Sequence, residues 1–198
     1  HIYKWGKIGD DIIGELPGNE EFGYSISLSK NGLVLAVGGP GYHRNGDGWG
    51  HGHVRVFGLS GEKWFQRGDD FYGAAAVDRL GYSVALSGDG SVVSMGAPSN
   101  DQSYEMAGHV RVYKWSKDGV SSDEAWTQRG RNINGEAVSD WSGSSVTMND
   151  DGTFLAIGAP GLERSSGGHV RVFEFGAADE SWEKIGQDID GQNAGNHF

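Results

Sequence analysis

The sequence contains no cysteine, only four prolines in 198 residues, and no two adjacent basic residues. Without cysteine there are no disulfides, no thiolate metal sites and no thiol catalysis. Basic residues number 16 against 27 acidic ones, and the resulting formal charge of −11 disfavours nucleic acid or an anionic membrane surface as a partner. The longest apolar runs, such as residues 33–37, have the length of a strand and fall far short of the roughly 20 residues that span a bilayer. We therefore expect no membrane insertion.

Glycine is abundant, with 35 residues, more than twice the ordinary usage of about 7%. These glycines follow no Gly-X-Y period, so they are expected to mark turns between many short strands. The chain is 36% hydrophobic and 11% aromatic, which is enough for a substantial core in one domain.

The string Gly-His-Val-Arg-Val followed by an aromatic residue occurs three times, at residues 52–57, 108–113 and 168–173. Such recurrence is typical of stacked copies of one supersecondary unit. Trp5, Trp64, Trp126 and Trp182 recur at separations of 59, 62 and 56 residues. The sequence therefore predicts repeat units at approximately 5–63, 64–125 and 126–181, with a partial unit at 182–198.

Each unit contains four strand-like runs, which in the first copy cover residues 5–9, 24–28, 33–38 and 52–57. Asn31-Gly32 and its counterparts, between the second and third runs, favour a tight hairpin and therefore antiparallel neighbours. Gly-Pro or Ala-Pro ends the third run, because proline cannot donate to a sheet. Four antiparallel strands per unit predict an all-β fold, a β-propeller of which about three blades are present.

Three blades are fewer than the four to eight of closed propellers. An open wedge would leave two large apolar faces in water. We therefore expect the ring to be completed by further repeats of the same chain or by a homo-oligomer.

The Phe-Gly-Tyr-Ser-Ile string at 22–26, with residues 37–40 and 53–57, resembles the FG-GAP repeat of integrin α-subunit β-propellers and related extracellular proteins. The match is clearest for Gly-Ala-Pro at 96–98 and 158–160. The resemblance implies an extracellular or cell-surface propeller used for adhesion or ligand recognition. Many members carry an aspartate-rich calcium loop, but the matching loops here are short and poor in carboxylates, so we expect no cofactor. Three residues remain as calcium candidates against a plain turn: Asn149, Asp150 and Asp151.

Histidine and arginine in the repeated string could be mistaken for a ligand site. Their recurrence with the same neighbours favours a structural role, with the arginine stem packed on a neighbouring blade's tryptophan and its head paired with an aspartate. The residues concerned are His53, Arg55, His109, Arg111, His169 and Arg171.

The loop at residues 41–51 has no counterpart in the other copies, and it combines aromatic rings with hydrogen-bonding groups. This mixture favours a sugar ligand, which stacks on aromatic carbon and hydrogen-bonds through its hydroxyls. A metal held by His43, His51 and His53, or a merely irregular loop, are the alternatives. The candidate ligand-binding residues are Tyr42, His43, Arg44, Trp49, His51 and, in the equivalent second loop, Tyr104.

The sequence thus favours a non-enzymatic extracellular module that binds a glycan or protein ligand through rim loops. One alternative is a purely structural repeat protein that assembles into a ring or filament. Another is a polysaccharide-active enzyme, suggested by the acidic connectors 10–11, 69–70 and 188–190. Because these connectors recur at equivalent points of different units, we expect them to be solvated strand ends.

Overall fold

The computed structural model describes residues 5–16, 20–43, 50–117, 124–161 and 167–191. Within these ranges all regular structure is β, with fourteen strands in three antiparallel sheets. None of the described residues form a helix that could cross a lipid bilayer. The fold is all-β, as predicted, and the three sheets are propeller blades.

Blade 1 consists of β1 (Ser25–Leu28), β2 (Val34–Gly39), β3 (His53–Ser60) and β4 (Lys63–Gln66) in that order, with β5 (Phe71–Tyr72) also paired to β3. β1 is short and innermost, and β4 is outermost.

Blade 2 repeats this arrangement with β6 (Ser83–Leu86), β7 (Val92–Ala97), β8 (His109–Lys117), β9 (Glu124–Gln128) and β10 (Ile133–Asn134). Both β9 and β10 pair with β8.

Blade 3 contains β11 (Ser145–Met148), β12 (Phe154–Ala159), β13 (His169–Gly176) and β14 (Ser181–Asp190). β14 is continuous where the other blades have two short strands, and a register shift between Val170 and Val172 accommodates it.

The predicted hairpin turns are present in all three copies. Gly32, Gly90 and Gly152 have φ of 72°, 71° and 65°, a conformation that glycine adopts without steric penalty. The residue that opens each turn caps it: Ser87 Oγ accepts a hydrogen bond from Val92 N at 2.9 Å, and Asn149 Oδ1 accepts one from Phe154 N at 2.9 Å.

The sheets are offset by one strand from the units that begin at each tryptophan. The Trp64 strand pairs with β3, the last strand of the preceding unit, because a short hairpin around Gly61 (φ 62°) joins them. The Trp126 and Trp182 strands likewise pair with β8 and β13. Trp5 is the exception, since the described residues 5–16 contain no strand.

The core lies between the blades. Val54, Val56 and Leu80 between blades 1 and 2 are fully buried, as are Leu155 and Ile157 between blades 2 and 3. The inner strands β1, β6 and β11 pack side by side and define a common axis. Burying a side chain of this size contributes about 1.5–3 kcal/mol, so blade contact is a major source of stability.

Glycine and serine make the close contact between successive blades. A Cβ on Gly38 would lie 2.1 Å from the carbonyl oxygen of Gly81, so only glycine fits there. Beside it, Ser25 Oγ donates a 2.7 Å hydrogen bond to the same carbonyl. Gly96 and Ser83 repeat this arrangement at the next junction.

The arginine of the repeated string also joins blades. Arg111 Nη2 donates to Tyr72 O at 2.7 Å, and Arg171 Nη2 donates to Asn134 O at 3.0 Å. Within the described ranges, the predicted stacking of this arginine on a neighbouring tryptophan is not observed: Arg171 lies over Phe173 of its own strand. The arginines that stack on tryptophan come from the outer strands, namely Arg67 over Trp115 and Trp126, and Arg129 over Trp182.

Candidate functional site

A cleft among the described residues opens at the end of the blades where the inner strands begin. It has a volume of about 630 Å³ and receives residues from the connectors of all three blades. We call it the rim cleft, and it is lined by Glu21, Pro40, Gly41, His43, Gly50, Val77, Arg79, Ser99, Asp101, Met106 and Trp141.

A repeated turn positions three of these residues. Glu21, Arg79 and Trp141 stand two residues before the glycine that precedes each inner strand, and their φ values are 54°, 58° and 56°. The carbonyl of each accepts a hydrogen bond from the amide three residues later, at 3.0–3.1 Å. Left-handed backbone at a residue with a side chain costs about 1–2 kcal/mol. Because all three copies share it, the conformation belongs to the fold.

The three side chains at this turn differ in chemistry: an acid, a base and an aromatic ring. Glu21 and Arg79 form an ion pair of 3.6 Å, and both are substantially exposed. Trp141 is half-buried with its Nε1 fully buried, so any indole surface that it exposes is carbon. The fold therefore fixes the backbone of this position while the side chain varies from blade to blade.

Two further cleft residues also have left-handed backbone, namely Val77 (φ 64°) and Met106 (φ 49°). Both are exposed, at 38% and 39%, and they add apolar surface near Trp141. Asp101 Oδ1 accepts a 2.7 Å hydrogen bond from Met106 N, which fixes this loop. Ser139, at the position equivalent to Val77, has φ of 61°, so the Val77 conformation also belongs to the repeat, and the cleft is a candidate functional surface because of the side chains that it presents.

Two residues predicted to bind ligand are buried. Tyr42 is 9% exposed, and its ring stacks on the His53 ring with centroids 4.4 Å apart and an interplanar angle of 11°. His51 is 8% exposed, and its carbonyl accepts a hydrogen bond from Leu80 N. Neither side chain presents a face on which a sugar could stack, so both are corrected to supports of the loop.

The other predicted ligand residues have different positions. His43 lines the rim cleft and is half-buried. Tyr104 is 52% exposed and lies between Asp101 and Met106 in the chain, but it does not line the cleft. Arg44 and Trp49 lie outside the described residues.

Beneath Tyr42 is a buried polar cluster centred on His53, which is 0% exposed. His53 Nε2 lies 2.9 Å from Glu20 Oε1, and Nδ1 lies 4.0 Å from Asp70 Oδ2. Burial lowers the pKa of His53 to about 4, although the Asp70 carboxylate acts in the opposite direction. A histidine between two carboxylates resembles acid–base machinery, but no solvent reaches this ring, so its geometry favours the structural role.

The other copies of the string have simpler surroundings. His109 is 1% exposed, and burial together with the positive charge of Arg111 lowers its pKa to about 4. His169 is half-buried, while Arg171 is buried and bonded to Ser142 Oγ at 2.9 Å. Arg111 and Arg171 thus lie at blade junctions, whereas the described partners of Arg55 are Gln66, Asp70 and Glu15, within or before blade 1.

The calcium candidates have other partners. Asn149 Oδ1 caps its own turn, and Asp150 pairs with Lys30 of blade 1. Asp151 is exposed beside them. Nothing about these three residues assembles a set of oxygens suited to calcium, and the arrangement fits a plain turn.

Glu136, His169 and Asp188 place ligand atoms within 4.8 Å of one another. Two cations occupy the same cluster: Arg171 lies 3.1 Å from Glu136, and Lys184 lies 2.9 Å from Asp188. The hydrogen bond from Lys184 lowers the pKa of Asp188. These ion pairs already neutralise the carboxylates, so the cluster is suited to joining blades 2 and 3 rather than to binding a metal.

The acidic connectors are also engaged separately. Asp11 pairs with Lys7, Asp70 accepts a 2.6 Å hydrogen bond from Gln66, and Asp188 pairs with Lys184. Each of these carboxylates has a partner in its own connector or the adjoining strand, and the three are not assembled into one site among the described residues.

The comparisons with known proteins bear on the fold. No protein-family model matches the chain, and no curated protein is significantly similar to it. Among solved structures, a candidate 6-phosphogluconolactonase from Bacteroides uniformis has a TM-score of 0.52 at 12% identity, covering 85% of this chain and 41% of its own. Sqt1 from Saccharomyces cerevisiae has a TM-score of 0.52 at 12% identity, covering 90% and 38%. A candidate 6-phosphogluconolactonase from Bacteroides fragilis has a TM-score of 0.50 at 13% identity, and the match covers 85% of this chain and 39% of that one.

All three structures have propeller-type folds, and at sequence identities of 12–13% the similarity shows only the fold. The chain spans about two-fifths of the length of each of these structures.

Proposed function

We propose that this chain is a non-enzymatic β-propeller module that binds a glycan or glycoprotein in the rim cleft, at the cell surface or outside the cell. The observation that carries the proposal is the cleft itself, in which carbon surface from Val77, Met106 and Trp141 adjoins the charged groups of Arg79 and Asp101. A sugar ring needs both kinds of surface, because its CH face packs on carbon while its hydroxyls take hydrogen bonds.

The variation at the repeated turn supports this proposal. A blade junction needs the same residue in every copy, as the glycines and serines described above illustrate. A ligand-contacting position has no such requirement, and Glu21, Arg79 and Trp141 differ while sharing one backbone conformation. His43 and Gly50 line the same cleft, so the loop that distinguishes the first copy enters and leaves beside it.

We further propose kinship with FG-GAP repeats. The turn glycine of the repeat, which follows Phe22 in the first copy and Ser142 in the third, and the Gly-Ala-Pro strand end have matched roles, because the carbonyl of Gly143 approaches Gly96 too closely for any side chain and accepts the Ser83 hydroxyl. A motif whose two halves contact each other across a junction accounts for their recurrence together.

Titration of the chain with a panel of polysaccharides and glycoproteins tests the binding proposal. We expect saturable binding that Trp141→Ala weakens about tenfold or more, since stacking and desolvation at a central aromatic residue carry much of such an affinity. Phe65→Ala, an exposed aromatic residue on β4 outside the cleft, is the matched control and should bind like the wild type. Equal affinity in the two variants would remove the rim cleft from consideration.

A further inference from the structure

We propose that the face of blade 3 that no described blade covers is a docking surface for another blade of the same repeat. Its occupant is the first blade of a second copy of this chain, joined so that the repeat continues without interruption. We call this docking surface the trailing face, and define it by Ser145, Thr147, Phe154 and Gly158. The opposite free face, on blade 1, is the leading face, defined by Gly23, Ile26 and Leu28. This inference does not depend on ligand binding in the rim cleft.

The trailing face repeats the donor side of both internal junctions. Ser25 and Ser83 each donate a 2.7 Å hydrogen bond to a glycine carbonyl of the following blade. Ser145 stands at the same position, and it has no such acceptor among the described residues. Gly158 corresponds to Gly96, yet the three atoms nearest to a Cβ there all belong to Ser145 and none to a following blade. Within the described ranges, no backbone carbonyl takes the place that Gly81 O and Gly143 O hold at the internal junctions.

The leading face carries the matching acceptor side. Gly23 has φ of 92°, against 87° for Gly81 and 91° for Gly143, so its carbonyl belongs to the same turn. Ile26 and Leu28 are 68% and 58% exposed, whereas the residues at their positions in blade 2 are both 8% exposed. Blade 1 therefore exposes the same apolar side that, in blade 2, is buried against blade 1.

The turns at the other end of the blades continue the pattern. Lys30 N donates to Gly88 O at 2.9 Å, and Gly88 N donates to Asp150 O at 2.8 Å. In the described part of the chain, the amide of Asp150 has no corresponding acceptor, and Lys30 O of a docked blade would supply it.

Phe154 shows the same incompleteness in its side chain. It is 41% exposed, while its counterparts Val34 and Val92 are 6% and 2% exposed under a glycine of the next blade. Gly32, the corresponding glycine of blade 1, has nothing within 4 Å of a Cβ. The larger phenylalanine would be covered by the open surface at Gly32.

The outer strands fix how the second copy must be joined. Residues 5–14 and 182–191 align without a gap and share seven of ten residues, and β14 already pairs with β13. A separate second copy would bring residues 5–14, whose sequence is equivalent to that of β14, to a junction where β14 already occupies the outer position. A tandem in which residue 191 is followed by residue 15 of the second copy uses each outer strand once.

This tandem tests the proposal directly. We expect the Asp150 amide of the first copy to exchange its hydrogen about tenfold more slowly than in the single chain, because it gains an acceptor and is covered. Ile26→Glu in the second copy should abolish this protection, whereas Phe65→Glu in the second copy, at an exposed residue of the outer strand β4, should leave it unchanged. Unchanged Asp150 exchange in the tandem, or equal effects of the two substitutions, would overturn the proposal.

Gly158→Ala provides a second measurement. In the single chain the one close contact of its methyl group among the described residues is the Ser145 hydroxyl, which can rotate, while the Ser145 Cβ and O lie at 3.6 and 3.8 Å, so the melting temperature should stay within about 1 °C. In the tandem it should lower the melting temperature of the joined blades by about 4 °C or more, as a carbonyl clash at the junction requires. The same small shift in both proteins would count against docking at this face.

Discussion

Acid should destabilise this protein through His109, and the effect can be calculated from its surroundings. His109 begins β8, is 1% exposed, and has Arg111 two residues away on the same face. Burial and the positive charge of Arg111 both disfavour the imidazolium, and the pKa in the folded protein falls to about 4. In the unfolded chain the same imidazole has a pKa of about 6.5.

The sign follows from which state binds the proton. Between pH 6.5 and pH 4 the unfolded chain is protonated at this histidine while the folded chain is not, so unfolding takes up a proton and stability falls as the pH falls. Above pH 6.5 the contribution is fully present. The difference between pH 7 and pH 5 is about 2 kcal/mol, and over the whole window it is about 3 kcal/mol.

Urea unfolding at pH 7 and pH 5, for the wild type and His109→Gln, measures this contribution. Glutamine has no titration in this range, so the variant should lose about 2 kcal/mol less than the wild type on acidification, whatever its absolute stability. His169→Gln, the half-buried counterpart in blade 3, retains His109 and should retain the acid sensitivity that His109 provides. The reasoning is refuted if His109→Gln and the wild type lose the same free energy of unfolding between the two pH values.

Three further substitutions test the blade junctions and connectors by urea unfolding. Gly96→Ala places a methyl group 2.0 Å from a carbonyl of the next blade and should cost roughly 3 kcal/mol, whereas Gly176→Ala, with no atom nearer than 3.8 Å, should change stability by less than about 0.5 kcal/mol. Arg129→Leu loses a 2.7 Å bond to Gly152 O and a ring contact at 4.0 Å, and should cost about 1–2 kcal/mol. Asp140→Ala leaves two loop amides unpaired and should cost about 2 kcal/mol.

The local features of the fold were predictable from the sequence, because they depend on nearby residues. Alternating small and apolar residues predicted the inner strand at 24–28, which forms at Ser25–Leu28, and Asn31-Gly32 predicted the hairpin that follows. The repeated string was expected to join blades, and Arg111 and Arg171 contact the preceding blade. The point in the repeat at which each sheet begins was not predictable, since a repeat has no unique starting point. The short hairpin at Gly61 determines it by pairing the Trp64 strand with β3.

The rim cleft was not predictable, because its residues are distant in sequence. Glu21, Arg79 and Trp141 are 58 and 62 residues apart, and only blade packing places them around one opening. A signal was present: these are equivalent positions of the repeat that differ strongly in chemistry. The burial of Tyr42 likewise depends on a long-range contact, its stacking on His53 eleven residues later. Loop composition carries no information on which ring will be covered.

The sequence predicted that an arginine stacks on a tryptophan, but it assigned this contact to the wrong arginine. Alternation along the string correctly placed Arg171 at a junction, but the tryptophan faces the outer strand of the preceding blade. Trp182 Nε1 donates to Arg129 O at 2.8 Å, which brings the Arg129 side chain over the ring. Strand order, rather than strand pattern, determines this pairing.

Amide chemical-shift mapping of the chain saturated with a glycan that binds it would locate the binding site. We expect the largest shifts to cluster at the rim cleft, around Arg79, Met106 and Trp141. Shifts that cluster instead at the opposite end of the blades, around Asn31 and Asp150, would contradict this expectation.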